Sequence, residues 1–116
     1  MAMAERNQDE RVHVCVVDDD ESVREALPDL LQELGFSARA FASAEEYLAS
    51  AAAGEPRCLI LDIAMPGMSG PELQSELRRR GQRVPVVFIT AHADRELRAR
   101  LLAQGAVECL FKPFTE

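Results

Sequence analysis

The chain has 116 residues, 47% of them hydrophobic and 28% charged, with a net charge of −7. That length makes one domain, able to bury roughly two thirds of its unfolded surface. The acidic balance argues against a nucleic-acid contact by this segment, and no apolar run is long enough for a membrane span.

Met1–Arg11 is polar, from which no signal peptide and a disordered leader over 1–11 are expected. A first strand is predicted at about 12–18 and a helix at about 21–34, with Val23, Ala26, Leu27, Leu30, Leu31 and Leu34 on one face. Gly35 suits its C-cap, while Pro28 should kink it at a cost near ~3 kcal/mol. A second strand follows at about 37–42. Ser43 and Glu46 then have the spacing of a capping box for a second helix at about 44–53, which should bury Tyr47 and Leu48 before Gly54-Glu55-Pro56 closes it. Strand three is predicted at about 57–62 and helix three at about 71–80, with Pro71 in its first turn and Leu73 and Leu77 inward. Strand four is placed at about 84–90 and helix four at about 94–104, with Leu97, Leu101 and Leu102 buried and Gly105 at its end. Strand five spans about 106–111. Short β-rich runs alternating with helices predict a parallel α/β sheet.

Cys15, Cys58 and Cys109 lack metal-ligand spacing and fall in predicted strands, where a reduced thiol is a small hydrophobe, so a reducing cytoplasm is expected. The basic cluster Arg78-Arg79-Arg80 with Arg83 reads as complementing the dipole of a helix end rather than as a docking patch. The chain uses twelve arginines and one lysine, Lys112, which ends the last strand. A lysine supplies a compact point charge where arginine supplies a rigid fork.

Strand one runs into Asp18, Asp19 and Asp20, strand three ends at Asp62, strand four at Thr90 and strand five at Lys112. Parallel strands end along one edge, where open α/β sheets bind ligands. Carboxylates brought that close repel by about 4 kcal/mol per pair at ~4 Å and an effective dielectric of about 20. Such a cluster raises a pKa or holds a cation, and hard oxygens on a wet edge suit Mg²⁺. Asp18, Asp19 and Asp62 are the candidate metal ligands, whereas Asp20 and Glu21 read as the cap of helix one. Asp62 can also attack phosphorus to form an acyl phosphate, with Mg²⁺, Lys112 and Thr90 answering the phosphoryl oxygens.

Val16-Val17-Asp18-Asp19-Asp20-Glu21-Ser22-Val23-Arg24, Asp62-Ile63-Ala64-Met65-Pro66-Gly67-Met68-Ser69-Gly70, Ile89-Thr90-Ala91 and Lys112-Pro113-Phe114 together resemble the receiver domain of bacterial two-component response regulators. The resemblance covers residues 12–114, and Gly35-Phe36-Ser37-Ala38-Arg39-Ala40-Phe41-Ala42-Ser43-Ala44-Glu45-Glu46-Tyr47-Leu48 is similar to the FixJ-like branch, whose members usually carry a DNA-binding domain after the receiver. It implies a flavodoxin-like, doubly wound five-stranded parallel sheet of order 2-1-3-4-5. It implies a phosphoacceptor signalling domain rather than an enzyme, assisting its own phosphotransfer and dephosphorylation, with a histidine kinase or phosphotransfer protein as donor. Asp62 would be the phosphoacceptor, Asp19 the more direct Mg²⁺ ligand of the acidic pair, the Ala64 backbone carbonyl a further ligand, Thr90 the switch hydroxyl and Lys112 the phosphate-pairing ammonium. The Lys112–Pro113 bond would be cis.

Three departures stand out. Cys109 occupies the position three before the lysine, where the family usually has an aromatic rotor, so phosphorylation is expected to move strand five little. Ala64 and His92 occupy positions that influence attack of water on the acyl phosphate, and Ala64 offers no group to orient that water. The fifth helix of the family is missing, which should expose apolar side chains of strands one and five. The expectation is a chain excised from a longer regulator, or a short variant covered by a partner or a second copy. Self-association as a homodimer is expected, weakening if residues beyond 116 are restored. The rival readings are a phosphate-independent interaction module and a small phosphatase of the haloacid dehalogenase type. The latter matches Asp18-Asp19-Asp20-Glu21-Ser22 but leaves Asp62 unexplained.

Overall fold

The computed structural model describes residues 11–50, 56–92 and 94–112. Among the described residues five strands, β1 (His13–Val17), β2 (Ser37–Phe41), β3 (Cys58–Asp62), β4 (Val86–Thr90) and β5 (Glu108–Phe111), alternate with four helices. These are α1 (Glu21–Glu33), α2 (Ala44–Ala49), α3 (Gly70–Arg79) and α4 (Arg95–Ala103). The sheet is parallel throughout in the order β2-β1-β3-β4-β5. Both fold class and strand order are as expected from the sequence. The expected leader, the second helix past Ser50, its Gly54-Glu55 closure and the Lys112–Pro113 peptide fall wholly or partly outside the described residues.

The strands are shorter than predicted, for local reasons. Pro85 has no N–H for the ladder, and β4 begins at Val86. Ala106 donates to Leu101 O at 3.0 Å, closing α4 instead of opening β5. Helix α2 stops at Ala49, where Ser50 turns extended (ψ 161°) and its hydroxyl donates to Tyr47 O at 2.7 Å. Helix α1 runs through Pro28 as a continuous helix of 13 residues. Gly35, at φ 99°, ends it with its N–H on Gln32 O, as its missing Cβ permits.

One apolar cluster joins Cys15, Val17, Phe41, Leu59, Leu61, Val86, Phe88 and Cys109 of the sheet to Tyr47 of α2, Leu73 and Leu77 of α3 and Leu101 of α4. Leu48, Leu97 and Leu102, expected to be buried, are only partly so. Helix α1 packs on β1 and β2 with no residue fully buried, and Leu30 and Leu34 of its predicted apolar face are exposed. The expected exposure of strand one is found at Val12 but not further along it: Val14 and Val16 are buried because β1 is flanked by β2 and β3 and lies under α1. Strand β5 at the sheet's edge does expose Leu110 and Phe111. The arginine cluster is largely engaged internally: Arg79 and Arg80 pair with Glu76, and Arg78 donates to Gln104 O. All three thiols are free and burial pushes each upward, as for packing groups.

Candidate functional site

Strands β1, β3 and β4 are aligned so that Val17 pairs with Leu61 and Asp62 with Ile89. Their carboxyl ends therefore emerge together. Ligand atoms of Asp18, Asp19 and Asp62 lie within 4.8 Å of one another. Asp18 is fully buried and Asp62 nearly so, while Asp19 is exposed.

Asp18 is held from every side. Its N–H donates to Phe41 O at 3.1 Å, Arg24 Nη1 donates to its carbonyl at 3.0 Å, and its Oδ1 accepts from Asp20 N at 2.8 Å. Lys112 Nζ stands 2.8 Å from Asp18 Oδ2, a close ion pair. The same ammonium is 3.8 Å from Asp62 Oδ2. Lys112 is itself placed by its N–H on Thr90 O at 2.7 Å. Thus the lysine sits nearer the Asp18 carboxylate than Asp62, a preference that spacing along the chain does not reveal.

The electrostatics follow from burial. Loss of water pushes the Asp62 carboxyl up to about 7, helped by the neighbouring Asp18 charge and opposed by Lys112. Burial works against the Lys112 charge, but Asp18 and then Asp62 override it, and the net shift is upward. Asp20 lies outside the cluster: its Oδ1 accepts from Ser22 N at 2.9 Å and Ser22 Oγ at 2.7 Å, which lowers its pKa and makes it the N-cap of α1. Glu21 lies in the first turn, where a carboxylate favours the helix dipole.

Thr90 ends β4 nearly buried, and its Oγ1 accepts from His92 N at 3.1 Å. His92 and Ala64 are exposed, Ala64 in the loop between β3 and α3. Gly70 at the end of that loop packs so tightly on the Asp62 carbonyl that a Cβ would collide with it. Ser69 and Glu72 form a complete capping box at α3 whose Ser-x-x-Glu spacing was readable in the sequence. In the Ser43–Glu46 pair, by contrast, the glutamate reaches past Ser43 to Ala42 N at 2.7 Å.

The donor set suits Mg²⁺: hard carboxylate oxygens at an open edge, too close together to be left all charged without a cation. Asp18 already has both oxygens engaged, which leaves Asp19 and Asp62 the freer donors.

The family model for the response regulator receiver domain matches residues 14–116. Nodulation protein W of Bradyrhizobium diazoefficiens is 42% identical over 103 residues, covering 89% of this chain and 45% of that protein. The solved structure of response regulator StyR superposes with a TM-score of 0.78 at 47% identity, covering 89% of this chain and 52% of that one. FixJ-N superposes with a TM-score of 0.78 at 36% identity, covering 92% and 86%. The chain spans about half the length of the curated relatives it matches. No helix among the described residues is long and apolar enough to cross a membrane. By the family match and these identities, the chain belongs to the response regulator receiver domains of two-component systems.

Proposed function

We propose that this domain accepts a phosphoryl group on Asp62 from a histidine kinase or phosphotransfer protein and passes the change to an output surface. The observation that carries the reading is the meeting of Asp18, Asp19 and Asp62 with Lys112 at one sheet edge, beside the end of β4 at Thr90. An Asp62 carboxylate oxygen attacks phosphorus as the phosphorus–nitrogen bond of the donor phosphohistidine breaks, and the imidazole nitrogen keeps the released electron pair. Asp19, Asp62 and the Ala64 carbonyl would hold Mg²⁺, with Asp18 completing the acidic pair. Bound there, Mg²⁺ neutralises charge on the phosphoryl oxygens. Lys112 moves from Asp18 toward the new phosphate, which carries more charge than the carboxylate it replaces, and Thr90 donates its hydroxyl to another phosphate oxygen. These displacements bias the loop after Thr90 and α4, with β5 moving little because Cys109 offers no aromatic rotor.

Several relatives are named as transcriptional regulators, among them FixJ of Azorhizobium caulinodans. That supports a transcriptional output in a longer protein, working in the cytoplasm. The family match favours this reading over a haloacid dehalogenase-type phosphatase. Incubation with acetyl phosphate and Mg²⁺, read by intact mass, tests it. One added phosphoryl group is expected on wild type and none on Asp62→Asn; labelling lost only in Asp18→Asn would favour the phosphatase, and no labelling at all the phosphate-independent module.

A further inference from the structure

The loop over 63–69 follows Asp62 directly and is fixed at both ends. Ile63 N donates to Ile89 O and Gly70 N to Ile63 O, both at 3.0 Å, while Ser69 is locked in the α3 capping box. Met65 is buried in the core. The stretch between is held from another element: Glu45 Oε2, on the first turn of α2, accepts from Met68 N at 3.0 Å. Gly67 makes room for that carboxylate, since a Cβ there would lie 2.7 Å from Glu45 Oε2, and its φ of 75° disfavours any other residue.

Helix α2 is a firm base for such an arm. Ser43 Oγ accepts from Glu46 N at 3.0 Å, and Tyr47, fully buried, packs edge-on against Phe41 with centroids 5.4 Å apart. Phe41 in turn accepts the Asp18 N–H through its carbonyl. One short helix is thus tied both to the strand that holds Asp18 and to the loop that leaves Asp62.

We propose that Glu45 is a positioning residue for the carboxylate cluster: by accepting the Met68 N–H it fixes the loop backbone at Ala64 relative to Asp18 and Asp62, and so sets the affinity for Mg²⁺. This rests on the cluster being a Mg²⁺ site. Groups that orient a metal's ligands from outside typically change affinity about tenfold or more when removed. Glu45 touches no ligand carboxylate; it acts through the backbone.

The test compares wild type, Glu45→Gln and Glu45→Ala in the full chain by Mg²⁺ titration calorimetry and by hydrogen exchange at the Met68 amide. The glutamine carbonyl can accept the same bond without the charge. Glu45→Ala is expected to bind Mg²⁺ about tenfold more weakly and to lose protection at Met68, with Glu45→Gln matching wild type in both. Equal weakening in both variants would overturn the proposal in favour of a simple charge effect, and undiminished Mg²⁺ affinity in Glu45→Ala would overturn it outright. If wild type binds no Mg²⁺, the metal reading fails by itself. The positioning role is then judged by amide shifts at Asp62 and Ala64: movement in Glu45→Ala alone supports it, and stillness overturns it.

Discussion

The two faces of the sheet are built from the same alternating strands and treated very differently. One face, carrying Val17, Leu59, Leu61 and Phe88, is sealed by three helices into a single cluster. The other, carrying Val14, Val16, Ile60 and Ile89, has α1 over β1 and β2, and Leu110 of β5 is 46% exposed. Successive residues of a strand point to opposite faces. Asp62 therefore falls on the side of Ile60, and the alternation continues from Val16 to Asp18 and from Leu110 to Lys112. Thr90 falls on the side of Phe88. A groove of about 290 Å³ along Val23, Ala26, Leu27 and Leu30 opens beside Lys112 on the thinly covered side. The difference teaches a division of labour. The sealed face holds the core, and the open face carries Asp18, Asp62 and Lys112 to the sheet's edge, where the proposed cation and phosphodonor would meet them.

The sharpest contrast is a pair of truncations. Phe88→Ala empties a fully buried ring site in the sealed core and should cost about 3–5 kcal/mol, a large share of a typical domain's stability of roughly 5–15 kcal/mol. Leu110→Ala removes a side chain that is nearly half exposed and should cost under about 1 kcal/mol. Urea unfolding monitored by circular dichroism separates them. Equal losses would mean that the open face is covered in solution.

Next in size is the ion pair where the open face ends. Lys112→Gln leaves the fully buried Asp18 carboxylate facing Asp62 without its counter-ion. Breaking a buried pair in this way should destabilise by about 3 kcal/mol at pH 8. Mg²⁺ at millimolar concentration should restore part of the loss by supplying positive charge to the same oxygens. A variant as stable as wild type without Mg²⁺ would show that solvent, not lysine, satisfies Asp18.

How much of this was legible in the sequence depends on whether a contact is topological or lateral. Parallel strands must end on one edge, so Asp18, Asp62, Thr90 and Lys112 could be brought together from strand order and motif alone. Lateral contacts carry no such rule. Glu45 reaches Met68 across 23 residues, and Arg24 reaches the Asp18 carbonyl from inside a helix. Both depend on how far a helix tilts over the sheet, which apolar periodicity does not encode. The predicted face of α1 shows the same limit: six apolar residues at helical spacing signalled a buried stripe, but the helix covers only part of the sheet and Leu30 and Leu34 stay in water. Strand ends were overrun wherever an apolar run continued into a proline or a helix cap, as at Val84-Pro85 and Ala106.

A smaller effect, of opposite sign, comes from Asp62. Its folded pKa of about 7 lies above the value of about 3.9 expected when unfolded. The folded state therefore keeps a proton that the unfolded chain releases, and stability falls as pH rises from about 4 to about 7. Asp62→Asn removes that cost. Allowing for solvent at this rim, it should stabilise the metal-free protein by about 1–2 kcal/mol at pH 8 and by close to nothing at pH 4. Thermal unfolding at the two pH values checks this. Added Mg²⁺ should narrow the gap, because it stabilises the ionised wild-type site more than the amide.

The smallest expected effect concerns the sealed face itself. Cys109 lies in its cluster, paired in register with Phe88 and 3% exposed. A rotor must exchange a buried position for an exposed one, and a thiol gains little area from doing so. Its neighbours are also fixed: Arg98 Nε donates to the Cys109 carbonyl at 3.3 Å and Arg98 Nη2 to Glu108 Oε1 at 2.5 Å, tying β5 to α4. We therefore expect a phosphoryl mimic such as beryllofluoride with Mg²⁺ to shift amides at Asp62, Ala64 and Thr90 to Asp94 strongly and those at 107–111 weakly. Cys109→Tyr should enlarge the response of β5 if ring volume is what is lacking. Large shifts at 107–111 in wild type would show instead that Thr90 drives β5 through the backbone bond from Lys112 N to its carbonyl, with no side-chain rotor required.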